Sequence, residues 1–143
     1  MQPQLIPELD VTDLQRSLYF YLTTLGFELK YDRPEERFAM LDLEGAALML
    51  QEAEGPGRRF RTAPLEVPHG RGVNFQIQVS DANTLYKRVC AADAEIVIPL
   101  EERWYRSGEQ ELGNRQFVVA DPDGFLLRFF TSLGSRKRHE GDR

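Results

Sequence analysis

The chain has 143 residues, a net charge of −5, 41% hydrophobic and 29% charged residues. That balance suits one globular domain, or two small modules sharing a core, and argues against an extended polyelectrolyte. It also excludes the basic surface needed for non-specific nucleic-acid binding. The last nine residues hold four bases and two acids, so the rest is more acidic still and mildly favours a cationic ligand. With Cys90 as its single cysteine, the chain has no internal disulfide framework and fits a reducing compartment. No apolar run approaches the roughly 20 residues of a membrane span, and the opening MQPQLIPELD lacks the basic and apolar regions of a signal peptide. A cytoplasmic location with no membrane partner is the expectation.

In chain order, residues 4–10 read as a first strand. VTDLQRSLYFYLTTLG then places Leu14, Leu18, Leu22 and Leu25 on one helical stripe, with Thr12 and Gln15 as a capping-box pair and Gly26 as the stop. Strand patterns follow at 27–32, 37–43 and 46–52, the last two joined at Glu44-Gly45. A Gly-, Pro- and Arg-rich stretch separates this half from the next. The second half opens with a strand at 73–79, then a helix presenting Ala82, Leu85, Tyr86, Val89 and Cys90 behind a Ser80/Asp81 cap. Strand patterns return at 95–100, 115–121 and 125–130. The chain is therefore expected to be α+β, with two tandem βαβββ modules whose curved mixed sheets form a cup. The boundaries are residues 1–54, a loop at 55–71, residues 72–132, and a charged flexible tail at 133–143.

The strand VNFQIQV sets Val73, Phe75, Ile77 and Val79 against a stripe of Asn74, Gln76 and Gln78. Three amides without a charge suit a cavity better than open water. Arg128 is the one charge in FLLRFF. The usual catalytic constellations are absent. His69 lies in the connecting loop and His139 in the tail, and Cys90, on a buried helical stripe without a histidine partner, reads as a small core residue. Asp121-Pro122-Asp123-Gly124 sits between two strands and lacks the later ligands of a calcium loop, so a hairpin turn is the better account. Trp104 and Tyr105 fall in the polar stretch LEERWYRSGEQELGNRQF, as a lid, an interface or a packed sheet edge.

Three segments carry a resemblance. DLQRSLYFYLTTLGFEL resembles the opening signature of the glyoxalase/bleomycin-resistance/extradiol-dioxygenase superfamily, the vicinal oxygen chelate fold. RQFVVADPDGFLLRF resembles its closing hairpin, and GVNFQIQVSDANTLYKRV the start of its second module. The resemblance spans residues 5–132 and specifies the fold, not the function, because this fold hosts lyases, dioxygenases, isomerases and drug-binding proteins.

In metal-using members the first and last strand of each module supply the ligands, which implies Ile6, Met49, Asn74 and Arg128 here. Ile6 has no donor atom, Asn74 is a weak ligand, and the permanently cationic Arg128 repels a divalent ion. The resemblance therefore implies the bleomycin-resistance branch: metal-free, homodimeric by arm exchange, and sequestering a cationic glycopeptide antibiotic in clefts at the dimer interface. Pro3 and Pro7 suit an exchanged arm. Leu112 stands where that branch often has a Trp, with Trp104 or Tyr105 as possible substitutes. The expectation is a small-molecule binding protein with no cofactor, metal or catalytic residue. Its cup is lined by Glu8, Gln51, Asn74, Gln76, Arg128 and Phe130, with Trp104 and Tyr105 nearby. Glu8 is the expected partner of Arg128; failing that, an anionic ligand would take its place. The alternatives are a metal-dependent glyoxalase or dioxygenase with displaced ligands, and a degenerate module whose dimer surface is its function.

Overall fold

The computed structural model describes residues 3–138. The first half comprises β1 (Glu8–Val11), α1 (Leu14–Leu18) continuing into a π-helical segment (Tyr19–Thr24), β2 (Glu28–Arg33), β3 (Phe38–Leu43) and β4 (Ala46–Glu52). The second comprises β5 (Asn74–Gln78), α2 (Ala82–Ala91), β6 (Glu95–Ser107), β7 (Gln110–Ala120) and β8 (Leu126–Lys137). Each half makes a four-stranded mixed sheet of the same topology, β1-β4-β3-β2 and β5-β8-β7-β6, with first strand parallel to last. This is the expected α+β pair of βαβββ units. Neither sheet closes into a barrel, so β1, β2, β5 and β6 are edges.

One core joins the halves. Leu9, Val11, Leu41 and Leu50 of the first sheet and Ile77, Phe117, Leu127 and Phe129 of the second meet Tyr21 and Leu25 of the first helical segment and Leu85 and Val89 of α2. Period-2 alternation sends every other strand residue the opposite way, leaving each sheet a second face free for a site.

The Asp121–Gly124 hairpin turn also fastens the two halves together. Asp121 Oδ1 accepts the amides of Asp123 and Phe125 at 2.9 Å, which shapes the turn. Its Oδ2 accepts the hydroxyl of fully buried Tyr21 at 2.8 Å. Asp123, also fully buried, accepts the Thr12 amide at 3.0 Å and Arg16 Nη2 at 2.9 Å. Gly124 adopts φ +100°, and a Cβ there would lie 2.5 Å from Pro68.

Several local expectations need correction. The cap of α1 is Asp13, which accepts the Arg16 amide; the Thr12 amide is drawn to Asp123 instead. The π-helical widening turns Phe20, Tyr21 and Thr24 inward, so Leu18 and Leu22 are only partly buried. Cys90 is exposed, because α2 buries only the narrow stripe Ala82, Leu85 and Val89. The stretch around Trp104 and Tyr105 is the arm of a long β6–β7 hairpin, not a loop. It turns at Gly108-Glu109, where Ser107 pairs with Gln110. β8 runs on to Lys137, past residue 132 where the second module was expected to end. Residues 139–143 of the expected tail, His139 among them, lie outside the described residues. Among the described residues no helix is long and apolar enough to cross a membrane.

Candidate ligand-binding site

The free face of the second sheet is concave, with a volume of about 610 Å³. Gln76 and Gln78 of β5 enter it, as their amide stripe predicts. Register puts Arg128 beside Gln76 and Phe130 beside Gln78. Asn114 and Leu112 join from β7, Ser132 from β8, and Tyr105 from β6. The residues of β7 were missed from sequence because the long hairpin was read as loop, and those at the far end of β8 because residues 133–143 were read as a tail. The hairpin's signal was the Gly108-Glu109 pair flanked by segments of strand-like alternation.

Some polar groups at and beside the cup are paired within the chain. The Gln116 amide donates to Glu101 Oε2 at 2.9 Å and meets the Tyr105 hydroxyl at 2.6 Å. Arg128 Nη2 donates to Gln76 Oε1. Arg128 Nε and Gln116 Oε1 are both shielded from solvent without a partner among the described residues. The expected Glu8–Arg128 pair does not form within the chain: the two residues lie on different sheets, and Arg128 takes the amide directly beside it.

Glu8 and Gln51 line a separate groove of about 700 Å³ on the first sheet, together with Asp10. Gln51 donates to Asp10 Oδ1 at 2.5 Å. The connecting stretch crosses this groove: Arg61 Nε lies 3.2 Å from Asp10 Oδ2, and His69 Nδ1 lies 3.0 Å from the Asp10 carbonyl. Burial pushes the Glu8 carboxyl above its ordinary range, and the charge of Asp10 adds to the rise. Asp10, Arg61 and His69 were not foreseen as site residues, since only the fold brings the connecting stretch over β1.

Of the eight residues expected at one site, the structure brings Gln76, Tyr105, Arg128 and Phe130 together and places Glu8 and Gln51 elsewhere. Asn74 is exposed at the start of β5, outside the concavity's lining. Trp104 leaves the cup because neighbouring strand residues point to opposite faces and Tyr105 takes the inner one. Its indole Nε1 donates to Glu102 at 3.0 Å, Arg136 stacks on it at 4.0 Å, and the ring lies over Gly113, where a Cβ would be 2.7 Å away. The indole N–H, then Arg115, hold the Glu102 carboxyl below its usual range.

The four positions implied for metal ligands do not form a donor set. Ile6 lines a small hollow with Tyr31 and Met40. Met49 pairs in register with Glu8, and Asn74 and Arg128 stand on β5 and β8. A thioether, a lone amide and a guanidinium offer no hard anionic oxygen.

Comparison with known proteins places the chain. The model of the Glyoxalase/Bleomycin resistance protein/Dioxygenase superfamily matches residues 7–129. Bleomycin resistance proteins of Geobacillus stearothermophilus and Staphylococcus aureus are 30% identical over 141 residues, covering 92% of this chain and 98% of theirs. Among solved structures, TioX from Micromonospora sp. ML1 superimposes with a TM-score of 0.70 at 28% identity, covering 92% of this chain and 99% of that one. A protein of unknown function from Agrobacterium tumefaciens gives 0.67 at 25% identity, covering 93% and 96%.

Proposed function

The chain belongs to the glyoxalase/bleomycin resistance protein/dioxygenase superfamily, and within it we propose that this protein is a metal-free small-molecule binding protein of the bleomycin-resistance kind. The observation that carries this reading is Arg128. It lines the cup, at the position the resemblance implies for a metal ligand, and a fixed positive charge there opposes a divalent cation. A concavity of about 610 Å³ lined by the Arg128 guanidinium, several amides and hydroxyls, and the apolar surfaces of Phe130, Tyr105 and Leu112 has the make-up of a ligand site. Bleomycin resistance proteins at 30% identity over nearly the full length support bleomycin as the first compound to test.

The protein acts as a homodimer in this reading. Among the described residues the outer edges of β1 and β5 carry no strand partner, and Leu5 and Val73 beside them are 82% and 50% exposed. Light scattering after gel filtration is expected to give twice the chain mass. Calorimetric titration with bleomycin is expected to saturate, and metal analysis of protein purified without chelator to give far less than one ion per chain. Stoichiometric nickel, zinc, iron or manganese would overturn the metal-free reading, and no heat at high micromolar bleomycin would remove that compound as the ligand.

A further inference from the structure

We propose that the cup of the second sheet selects ligands bearing a carboxylate, or a similar planar oxyanion, on an aromatic or apolar body, and that Arg128 makes the selection. The inference rests on the reading of this cup as the ligand site.

Among the described residues Arg128 is the only charged side chain lining the concavity. Two other arginines of the same sheet have acids, Arg115 reaching Glu102 at 3.3 Å and Arg136 reaching Glu111 at 2.7 Å, while Arg103 lies over the Tyr105 ring at 6.0 Å. Arg128 makes no ion pair among the described residues. Its Nη2 meets a neutral amide oxygen of Gln76, and its Nε has no hydrogen-bond partner among the described residues. Glu101, the acid hydrogen-bonded on the β6–β7 side of the cup, is engaged by the Gln116 amide. The protein thus holds a guanidinium, partly withdrawn from water, against a neutral acceptor.

A guanidinium in that state favours an incoming oxyanion. Displacing the Gln76 amide exchanges a neutral acceptor for a charged one and lets the planar fork bind two oxygens at once. The same charge penalises a ligand that presents a cation at this point, although the chain as a whole is acidic. Phe130, two residues along β8 on the same face, and Tyr105 across the cup supply the surface for the ligand's flat body.

The test uses 2-naphthoate and its neutral counterpart 2-naphthamide, titrated calorimetrically into the full chain and into two variants. Native protein is expected to bind 2-naphthoate about tenfold or more tightly than the amide, the scale of a charge-assisted contact. Arg128→Gln is expected to abolish that preference. Gln76→Glu, near-isosteric and on an exposed residue, supplies the guanidinium with an internal carboxylate and is expected to abolish it too; it decides the matter if Arg128→Gln does not fold. Equal affinity of native protein for both probes overturns the inference, as does no saturable naphthoate binding, or a preference that survives either folded variant. Bleomycin binding without carboxylate preference leaves the binding-protein reading standing and removes this one. Carboxylate preference without bleomycin binding does the reverse for bleomycin.

Discussion

Tyr21→Phe isolates the joint between the two halves. The ring keeps its place between Phe20 and Phe27, with centroids at 5.5 and 5.4 Å, so packing is retained and only the hydroxyl is lost. That hydroxyl donates at 2.8 Å to Asp121 Oδ2, with both residues buried. A hydrogen bond to a charged group is worth about 1.5–3 kcal/mol, and its loss strips a buried carboxylate of a donor, so a destabilisation of about 2–3 kcal/mol near pH 7 is expected. The pH dependence is more diagnostic. Burial raises the Asp121 pKa, so its contribution to stability is full below the unfolded value of 3.8 and lost as pH rises through the folded one. The Tyr21 hydroxyl limits that loss, and the gap between native and variant should open as Asp121 ionises. Tyr21 itself is held well above 10.0, chiefly by burial and then by the Asp121 charge. Its stabilisation is present below pH 10 and is lost above it, as the unfolded phenol ionises and the folded one does not. The gap should then close by about 1.4 kcal/mol per pH unit. Urea unfolding across the pH range reads both limbs. A variant within about 0.5 kcal/mol of native at every pH would refute the joint as an energetic element.

Asp123→Asn weakens the other half of the joint: the Arg16 contact and the Thr12 amide lose a charged acceptor in a fully buried position, and a loss of about 2–4 kcal/mol by denaturant unfolding is expected. Gly113→Val forces a side chain into the Trp104 ring and should cost about 1–3 kcal/mol; pairing it with Trp104→Ala should recover part of that cost in a double-mutant cycle. Arg61→Ala removes the contact with Asp10 that ties the connecting stretch across the first groove. Limited proteolysis is expected to cut residues 54–72 faster in that variant while thermal unfolding moves by only a few degrees.

The order of elements was legible along the chain because it rests on local signals. Alternation in VNFQIQV, the Asp81 cap, the Glu44-Gly45 turn and the Asp-Pro-Asp-Gly turn are each set by a few neighbouring residues. The polar face of β5 and the odd placement of Arg128 were likewise visible, since side-chain direction on a strand follows from parity alone. High charge density misled where it masked that parity: in EERWYRSGEQEL the alternation continues through a two-residue turn, so Tyr105 enters the cup and Trp104 cannot.

What the amino-acid sequence determined by itself was two βαβββ units, an amide stripe on β5 and Arg128 as the one charge in FLLRFF, while the resemblance it carries implied four metal-ligand positions without a competent donor set. What only the tertiary structure decided was which residues share a site. Glu8 and Arg128 lie on different sheets, so the expected ion pair gives way to a contact with the neighbouring Gln76. Asp121 and Asp123, readable only as a turn, become the buried acceptors that join the two halves. Register and side-chain parity are local properties of a strand, whereas the partner of a charge depends on how distant segments pack, and no local pattern encodes that.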